Sequence, residues 1–68
     1  MSILVTVETV VRDEGSIVIL GGTTDDGQYL TFAADHRPAY AIAQALDEGE
    51  EPRVELEPWQ ILSQEVAQ

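Results

Sequence analysis

The stretch Ile3-Leu4-Val5-Thr6-Val7-Glu8-Thr9-Val10-Val11 begins the fold. Its odd positions carry Ile, Val, Val, Thr and Val, and its even positions carry Leu, Thr, Glu and Val. Alternation with period two, built from β-branched residues, predicts a β-strand. The sequence Arg-Asp-Glu-Gly at 12–15 predicts a turn, and the apolar run Ile17–Leu20 predicts a buried second strand. We expect these two strands to form a hairpin.

A glycine-rich stretch follows at residues 21–27, GGTTDDG, and its composition predicts a flexible loop. It lacks the lysine of a phosphate-binding loop and the closing glutamate of an EF-hand, so neither site is expected. Residues 28–34 predict a third strand. On that strand Leu30, Phe32 and Ala34 share one face, and Phe32 is expected in the core.

The periodicity changes at Asp35, which fits a helix N-cap, and Pro38 fits a first helical turn. Apolar residues then recur at i, i+3, i+4 and i+7, which predicts one helix over about 36–48. These positions are Ala39, Ile42, Ala43 and Leu46. Gly49 is a natural stop just past the helix end.

Two further segments complete the predicted order. Residues 53–57, RVELE, alternate cleanly with Val54 and Leu56 inward, and residues 59–66 predict a last strand, a short terminal helix being the alternative. The order strand-strand-strand-helix-strand-strand predicts a single small α+β domain over 1–68, mostly β, with five antiparallel strands. An OB-like barrel has this order, with its helix between the third and fourth strands. An open sheet with the helix packed on it is the alternative.

Charge limits the partners that this chain can have. Thirteen acidic residues stand against three arginines and no lysine, for a net charge of −10. Direct nucleic-acid binding and anionic membrane surfaces are not expected, because both need a basic footprint. A basic protein is the predicted partner. With no cysteine and one histidine, neither a disulfide nor an intrachain structural zinc site is expected, and no cofactor is predicted.

Location and assembly follow from the same composition. Residues 1–8 carry no basic leader, and no stretch approaches the roughly 18 apolar residues of a membrane span, so a soluble, cytoplasmic protein is predicted. A chain this short buries only about 60% of its unfolded surface. Homo-oligomerisation, which would stabilise so small a hydrophobic core, is therefore an alternative.

The acidic residues are concentrated near the end of the predicted helix and the strand after it. Six of them fall in eleven residues, relieved only by Arg53: Asp47, Glu48, Glu50, Glu51, Glu55 and Glu57. Carboxylates at a helix C-terminus face the negative end of its dipole, so part of this pattern is locally unfavourable. Locally unfavourable choices tend to occur at functional sites. A solvated face that keeps a small protein soluble is the alternative.

Two further positions bear on function. Trp59, beside the acidic strand, is either a core residue, as the only tryptophan of so small a domain usually is, or an exposed binding anchor. His36, between Asp35 and Arg37, could serve as a general base, but no nucleophile accompanies it. Exposure at a helix start is the preferred interpretation, and no catalytic residue is predicted.

These features predict a non-enzymatic interaction module whose partner-binding residues are the six acids and Trp59. A row of carboxylates can imitate DNA phosphates, so one specific prediction is an inhibitor that docks a nucleic-acid-binding protein. Phage inhibitors of the anti-CRISPR or anti-restriction type, antitoxins and immunity proteins are comparable in size and charge. The alternatives are a homo-oligomeric scaffold or accessory domain, and a housekeeping protein whose acidity is an adaptation to salt.

Overall fold

The computed structural model describes residues 2–66, and of residues 65 and 66 the backbone alone. Its elements follow in the predicted order, which confirms a mostly β domain with one helix between the third and fourth strands. They are β1 (Ile3–Asp13), β2 (Ile17–Thr24), β3 (Gln28–Asp35), α1 (His36–Asp47), β4 (Arg53–Leu56), a 3-10 turn (Pro58–Gln60) and β5 (Ile61–Val66).

The five strands form one antiparallel sheet in the order β4-β1-β2-β3-β5. Strands β4 and β5 are consecutive in the chain, yet they occupy the two edges of the sheet. Within residues 2–66 they form no ladder with each other, so the sheet is open rather than a closed barrel.

The short connection between β4 and β5 requires this open sheet to curl. Four inter-strand gaps of about 4.8 Å would separate the edges of a flat sheet by about 19 Å. The chain crosses from Leu56 to Ile61 in five residues, which span at most about 17 Å when fully extended. A 3-10 turn shortens that reach further. The two edges must therefore approach each other, which gives the sheet a concave side.

The hydrophobic core fills that concave side beneath α1. It is built from one face of each strand and from the apolar stripe of the helix, with Phe32 only 1% exposed. Its buried members are Val5, Val7, Val18, Leu20, Leu30, Phe32, Ala39 and Leu56. The predicted inward face of β3 and the predicted helix stripe are confirmed, since Ile42 and Leu46 pack against this cluster.

Strand β1 departs from simple alternation at two bulges. Its pairing with β2 shifts between Val7 and Thr9 and again between Val10 and Arg12. Because each bulge adds one residue, the face toward the helix continues from Val7 to Val10 and leaves Thr9 on the other side. The period-two prediction for β1 is therefore right up to Val7 and wrong beyond it.

The predicted loop at 21–27 is wrong for its first four residues, because β2 continues to Thr24. Gly21 and Gly22 lie inside the strand and are buried. A Cβ on Gly22 would overlap the Thr6 carbonyl oxygen and lie 2.6 Å from Val5 Cγ1. Glycine is present there because another part of the backbone comes too close for a side chain, and not because the chain turns.

This packing predicts unequal effects for two adjacent substitutions. We expect Gly22→Ala to lower the melting temperature by about 5–20 °C, since the new methyl group meets backbone that cannot move aside. Gly21→Ala is the matched control, because its Cβ would meet the hydroxyl end of Tyr29, which can rotate away. Thermal melts followed by circular dichroism measure both. Equal losses of stability in the two variants would contradict this explanation.

The last strand begins two residues later than predicted. Pro58 starts a 3-10 turn that extends to Gln60, and β5 begins at Ile61. The predicted helix over 36–48 ends at Asp47, and Glu48 is its C-cap.

Candidate protein-interaction site

The acidic segment, defined as Asp47–Glu57, begins where α1 ends in a Schellman motif. The N–H of Gly49 donates to the Leu46 carbonyl at 3.1 Å, and the N–H of Glu50 donates to the Ala45 carbonyl at 3.0 Å. Gly49 has φ +80°, a left-handed conformation that glycine adopts without steric cost. The predicted stop is thus confirmed, and it turns the chain sharply away from the helix axis.

The other end of this turn is fixed to the sheet. The N–H of Val7 donates to the Pro52 carbonyl at 2.8 Å, just before β4 begins. Residues 47–51, called the acidic loop below, are therefore held at both ends. Every carboxylate of the loop is exposed to solvent: Asp47, Glu48, Glu50 and Glu51. The loop presents four negative charges on a defined backbone.

The remaining two acids of the segment lie on or just beyond edge strand β4. Glu55 pairs with Leu4 of β1, which places its side chain on the sheet face away from α1. Glu57 follows in extended backbone with φ −83° and ψ 150°. Residues two apart in an extended chain lie about 7 Å from each other. Both side chains are exposed, so they continue the row of charges toward Trp59.

The one arginine of the segment is engaged elsewhere. The Arg53 guanidinium contacts both carboxylate oxygens of Asp25, at 3.0 and 3.3 Å, in the turn between β2 and β3. This pair is exposed and contributes little stability. Within the described residues, none of the six carboxylates of the acidic segment forms an ion pair. Their charge stays available to a partner.

Trp59 lies in the 3-10 turn and is 81% exposed, so its interpretation as a core residue is wrong. The turn starts at Pro58 and is closed by two hydrogen bonds. Gln60 N–H donates to the Glu57 carbonyl, and Glu57 N–H donates to Gln60 Oε1, both at 2.9 Å. The turn directs the indole outward, whereas Ile61 packs against the core. The alternative, an exposed aromatic beside the acidic strand, is what the structure shows.

Trp59 forms one wall of a groove of about 150 Å³ that opens on the sheet surface. The groove, called the Trp59 groove below, is lined by Ile17, Ala33, Ala34, Asp35, Trp59 and Gln60. Asp35 occupies the N-cap position of α1, as predicted, but its side chain makes no capping hydrogen bond. Nor does that carboxylate form an ion pair with any residue in the described range.

Sequence reasoning did not assign Asp35 or Ile17 to a binding site. They lie opposite each other because of the antiparallel register of β2 and β3, which pairs Ile17 with Asp35. Trp59 joins them only through the turn that leads into β5. The one indication at Asp35 is that its side chain makes no capping hydrogen bond to the helix, and this is known only from the structure.

The structure separates the predicted site into two parts. The acidic loop lies at the C-terminal end of α1, and the Trp59 groove lies near its N-terminal end, beside Asp35. A helix of twelve residues is about 18 Å long. Glu55 and Glu57 lie between the two parts along the chain. The site is therefore an extended band with an aromatic groove near one end.

Two further cavities border α1. The larger, of about 260 Å³, lies at the open seam of the sheet between β3, α1 and β4. The smaller, of about 90 Å³, lies between α1 and the β1–β2 hairpin, with Asp13, His36 and Tyr40 at its border. His36 is exposed, and its ring lies 6.4 Å from that of Tyr40. In the described chain no hydrogen bond joins Asp35 to His36.

Neither a metal cluster nor a membrane-spanning helix is found in the part of the chain that the structure describes. Over residues 2–66, no three His, Cys, Asp or Glu side chains converge where they could hold a metal ion. No helix of that range has the length and apolar character that crossing a bilayer demands.

Comparison of this chain with protein-family models, with curated protein sequences and with solved structures gives no match.

Proposed function

We propose that this chain is a non-enzymatic interaction module that docks a basic protein through the acidic segment and Trp59. The observation that carries the proposal is a set of six exposed carboxylates that form no ion pair within the described range. Four lie in a loop that hydrogen bonds hold at both ends, and two lie on or just beyond edge strand β4. A field of one sign attracts an oppositely charged surface over distance and accelerates encounter. Because the backbone is already ordered, little backbone conformational entropy is lost on binding.

The partner class can be made narrower on the same grounds. Basic grooves that accept a row of negative charges are typical of nucleic-acid-binding proteins, whose natural ligand is a row of phosphates. We propose a cytoplasmic inhibitor that occupies such a groove in place of DNA. The placement of Glu55 and Glu57 about 7 Å apart on extended backbone supports this, since two successive negative charges along one chain resemble neighbouring phosphates of a strand.

A second candidate function, a homo-oligomeric scaffold, is favoured by a different observation. The sheet has open edges at β4 and β5, and Leu62 on β5 is 56% exposed. Unpaired edge strands can pair with another chain. The short length of β4 and the net charge of −10 oppose self-association, because two copies would repel each other.

Salt dependence tests the docking function. The immobilised chain is expected to capture a basic protein from an extract of its source organism, with capture falling steeply as ionic strength rises. The screening length drops from about 8 Å at 0.15 M salt to about 3 Å at 1 M, which removes the long-range attraction. Capture is quantified by mass spectrometry at each salt concentration. Retention that is independent of salt would contradict docking by charge.

The alternatives give different results with the same purified material. Sedimentation velocity at moderate salt should show a monomer for the docking module and a multimer for the scaffold. For the docking module, far-UV circular dichroism in dilute buffer should retain the folded spectrum. Unfolding on withdrawal of salt would instead support adaptation to a salt-rich solvent.

A further inference from the structure

We propose that the Trp59 groove receives an arginine side chain of the basic partner, with the guanidinium stacked on the indole and paired with Asp35. This inference rests on the proposed docking function and names the group that the partner supplies. It concerns a part of the surface that lies near the opposite end of α1 from the acidic loop.

The shape and chemistry of the groove select a long cationic side chain. Its floor is apolar, formed by Ile17, Ala33 and Ala34, and suits the methylene stem of an arginine. Its wall is Trp59, the aromatic side chain that attracts cations most strongly. Its polar residues are Asp35 and Gln60, and a planar guanidinium can contact the Asp35 carboxylate with two parallel hydrogen bonds.

The negative charge of Asp35 makes an uncharged occupant of the groove unfavourable. An apolar side chain in the groove would exclude water from a carboxylate that has no partner within the described residues, which is costly. An arginine replaces that lost hydration with an ion pair. The overall charge of −10 favours the same choice, since it concentrates cationic groups near the surface.

A second copy of this chain is the competing occupant. Arg37 is exposed on α1, and in a dimer it would be the arginine available to enter the groove of the other copy. The other two arginines are engaged, Arg12 with Glu14 and Arg53 with Asp25. Self-association would bring two surfaces of net charge −10 together, and we therefore assign the groove to a basic partner.

The test uses the only tryptophan of the chain as the reporter. A capped glycine-serine peptide with several arginines is titrated into the full chain while Trp59 fluorescence is recorded. We expect a saturable change in emission with this peptide and none with the peptide in which citrulline, a neutral isostere, replaces arginine. A lysine peptide should bind more weakly, because an ammonium lacks the planar fork.

Substitution of the carboxylate makes the test specific to the groove. Asp35→Asn should weaken binding of the arginine peptide by about two- to fivefold. Asparagine is as good an N-cap as aspartate, so the helix should persist, which circular dichroism checks. Asp26→Asn is the matched control, because Asp26 is exposed and lies outside both the groove and the acidic segment. It removes the same charge beyond the far end of β3, at least about 20 Å along the strand from Asp35, which exceeds the screening length at 0.15 M salt, and should leave the affinity within error.

Three outcomes would overturn the inference. They are equal binding of the citrulline or lysine peptide, equal effects of Asp35→Asn and Asp26→Asn, and a dimer in sedimentation velocity that Trp59→Ala dissociates. The last would assign the groove to a second copy.

Failure of the inference and failure of the proposed function are distinguishable. Loss of partner capture on substitution in the acidic segment, together with a peptide response that ignores Asp35, keeps the function and removes the groove assignment. Normal partner capture by a variant substituted in the acidic segment, together with a peptide response that depends on Asp35, keeps the groove assignment and removes the proposed function.

Discussion

Replacement of four segment glutamates by glutamine is expected to abolish partner capture while the fold persists. The variant carries Glu50→Gln, Glu51→Gln, Glu55→Gln and Glu57→Gln, and its net charge changes from −10 to −6. All four side chains are exposed, and none forms an ion pair within the described residues. Their neutralisation therefore removes no favourable ion pair from the folded state, and it relieves repulsion between neighbours.

The magnitude follows from the number of ion pairs that the variant can no longer form with its partner. Close charge pairs across an interface contribute about 1.5–7 kcal/mol each when measured pairwise, although rim charges contribute much less. Even about 1 kcal/mol for each of four carboxylates amounts to a loss of roughly three orders of magnitude in affinity. Capture at low salt, measured by mass spectrometry of the bound protein, should then fall below detection.

A matched control separates position from total charge. Glu8→Gln, Asp13→Asn, Glu14→Gln and Asp26→Asn also change the net charge from −10 to −6, on exposed residues outside the segment. Amides keep an acceptor oxygen, so Asp13→Asn can still accept the hydrogen bond from the Gly15 N–H. This control should retain most of the capture. Equal losses in the two variants would show that the whole charge, and not the segment, recognises the partner.

Truncation of Phe32 is expected to unfold the domain or to leave it barely stable. Phe32 is 1% exposed and lies at the centre of the core, between β2 on one side and β5 on the other. Phenylalanine-to-alanine changes in cores cost about 3–5 kcal/mol. At about 0.05–0.15 kcal/mol for each residue, the whole stability of a 68-residue chain is of similar size. The melting temperature should fall by about 12–40 °C if a transition is still seen.

Tyr40→Ala is the control for this second prediction, because it removes an aromatic ring that is 64% exposed on α1. It should shift the melting temperature by only a few degrees. Urea or thermal unfolding followed by circular dichroism measures both variants. A Phe32→Ala protein that melts close to wild type would contradict the assignment of the core to the concave side of the sheet.

Local patterns predict the elements well because each depends on neighbours in sequence. The β-branched alternation of β1, the i, i+3, i+4, i+7 stripe of α1 and the glycine stop at residue 49 are all short-range signals. Such patterns fail where a distant residue decides the outcome. Gly22 suggests a loop by composition, but the approach of Thr6 and Val5 makes it a strand residue. The bulges that put Val10 toward the helix depend on pairing with Leu20.

The candidate site shows the same division between local and distant information. The acidic segment can be found from the sequence because its acids lie within eleven consecutive residues and because charged side chains are expected at the surface whatever the rest of the fold does. The groove cannot be found, since Ile17, Asp35 and Trp59 come from three distant parts of the chain. Composition favours burial of the single tryptophan, whereas its exposure is set by a turn closed through Glu57 and Gln60.

The sequence by itself determined the class of fold, the order of its elements and the sign and concentration of its charge, because these follow from periodicity, capping and counting. Only the tertiary structure decided that the sheet stays open and that hydrogen bonds hold the acidic loop at both ends. It also decided that Trp59 and Asp35 line the same groove. Those features depend on strand register and on contacts between residues up to dozens of positions apart, and no local pattern records such contacts.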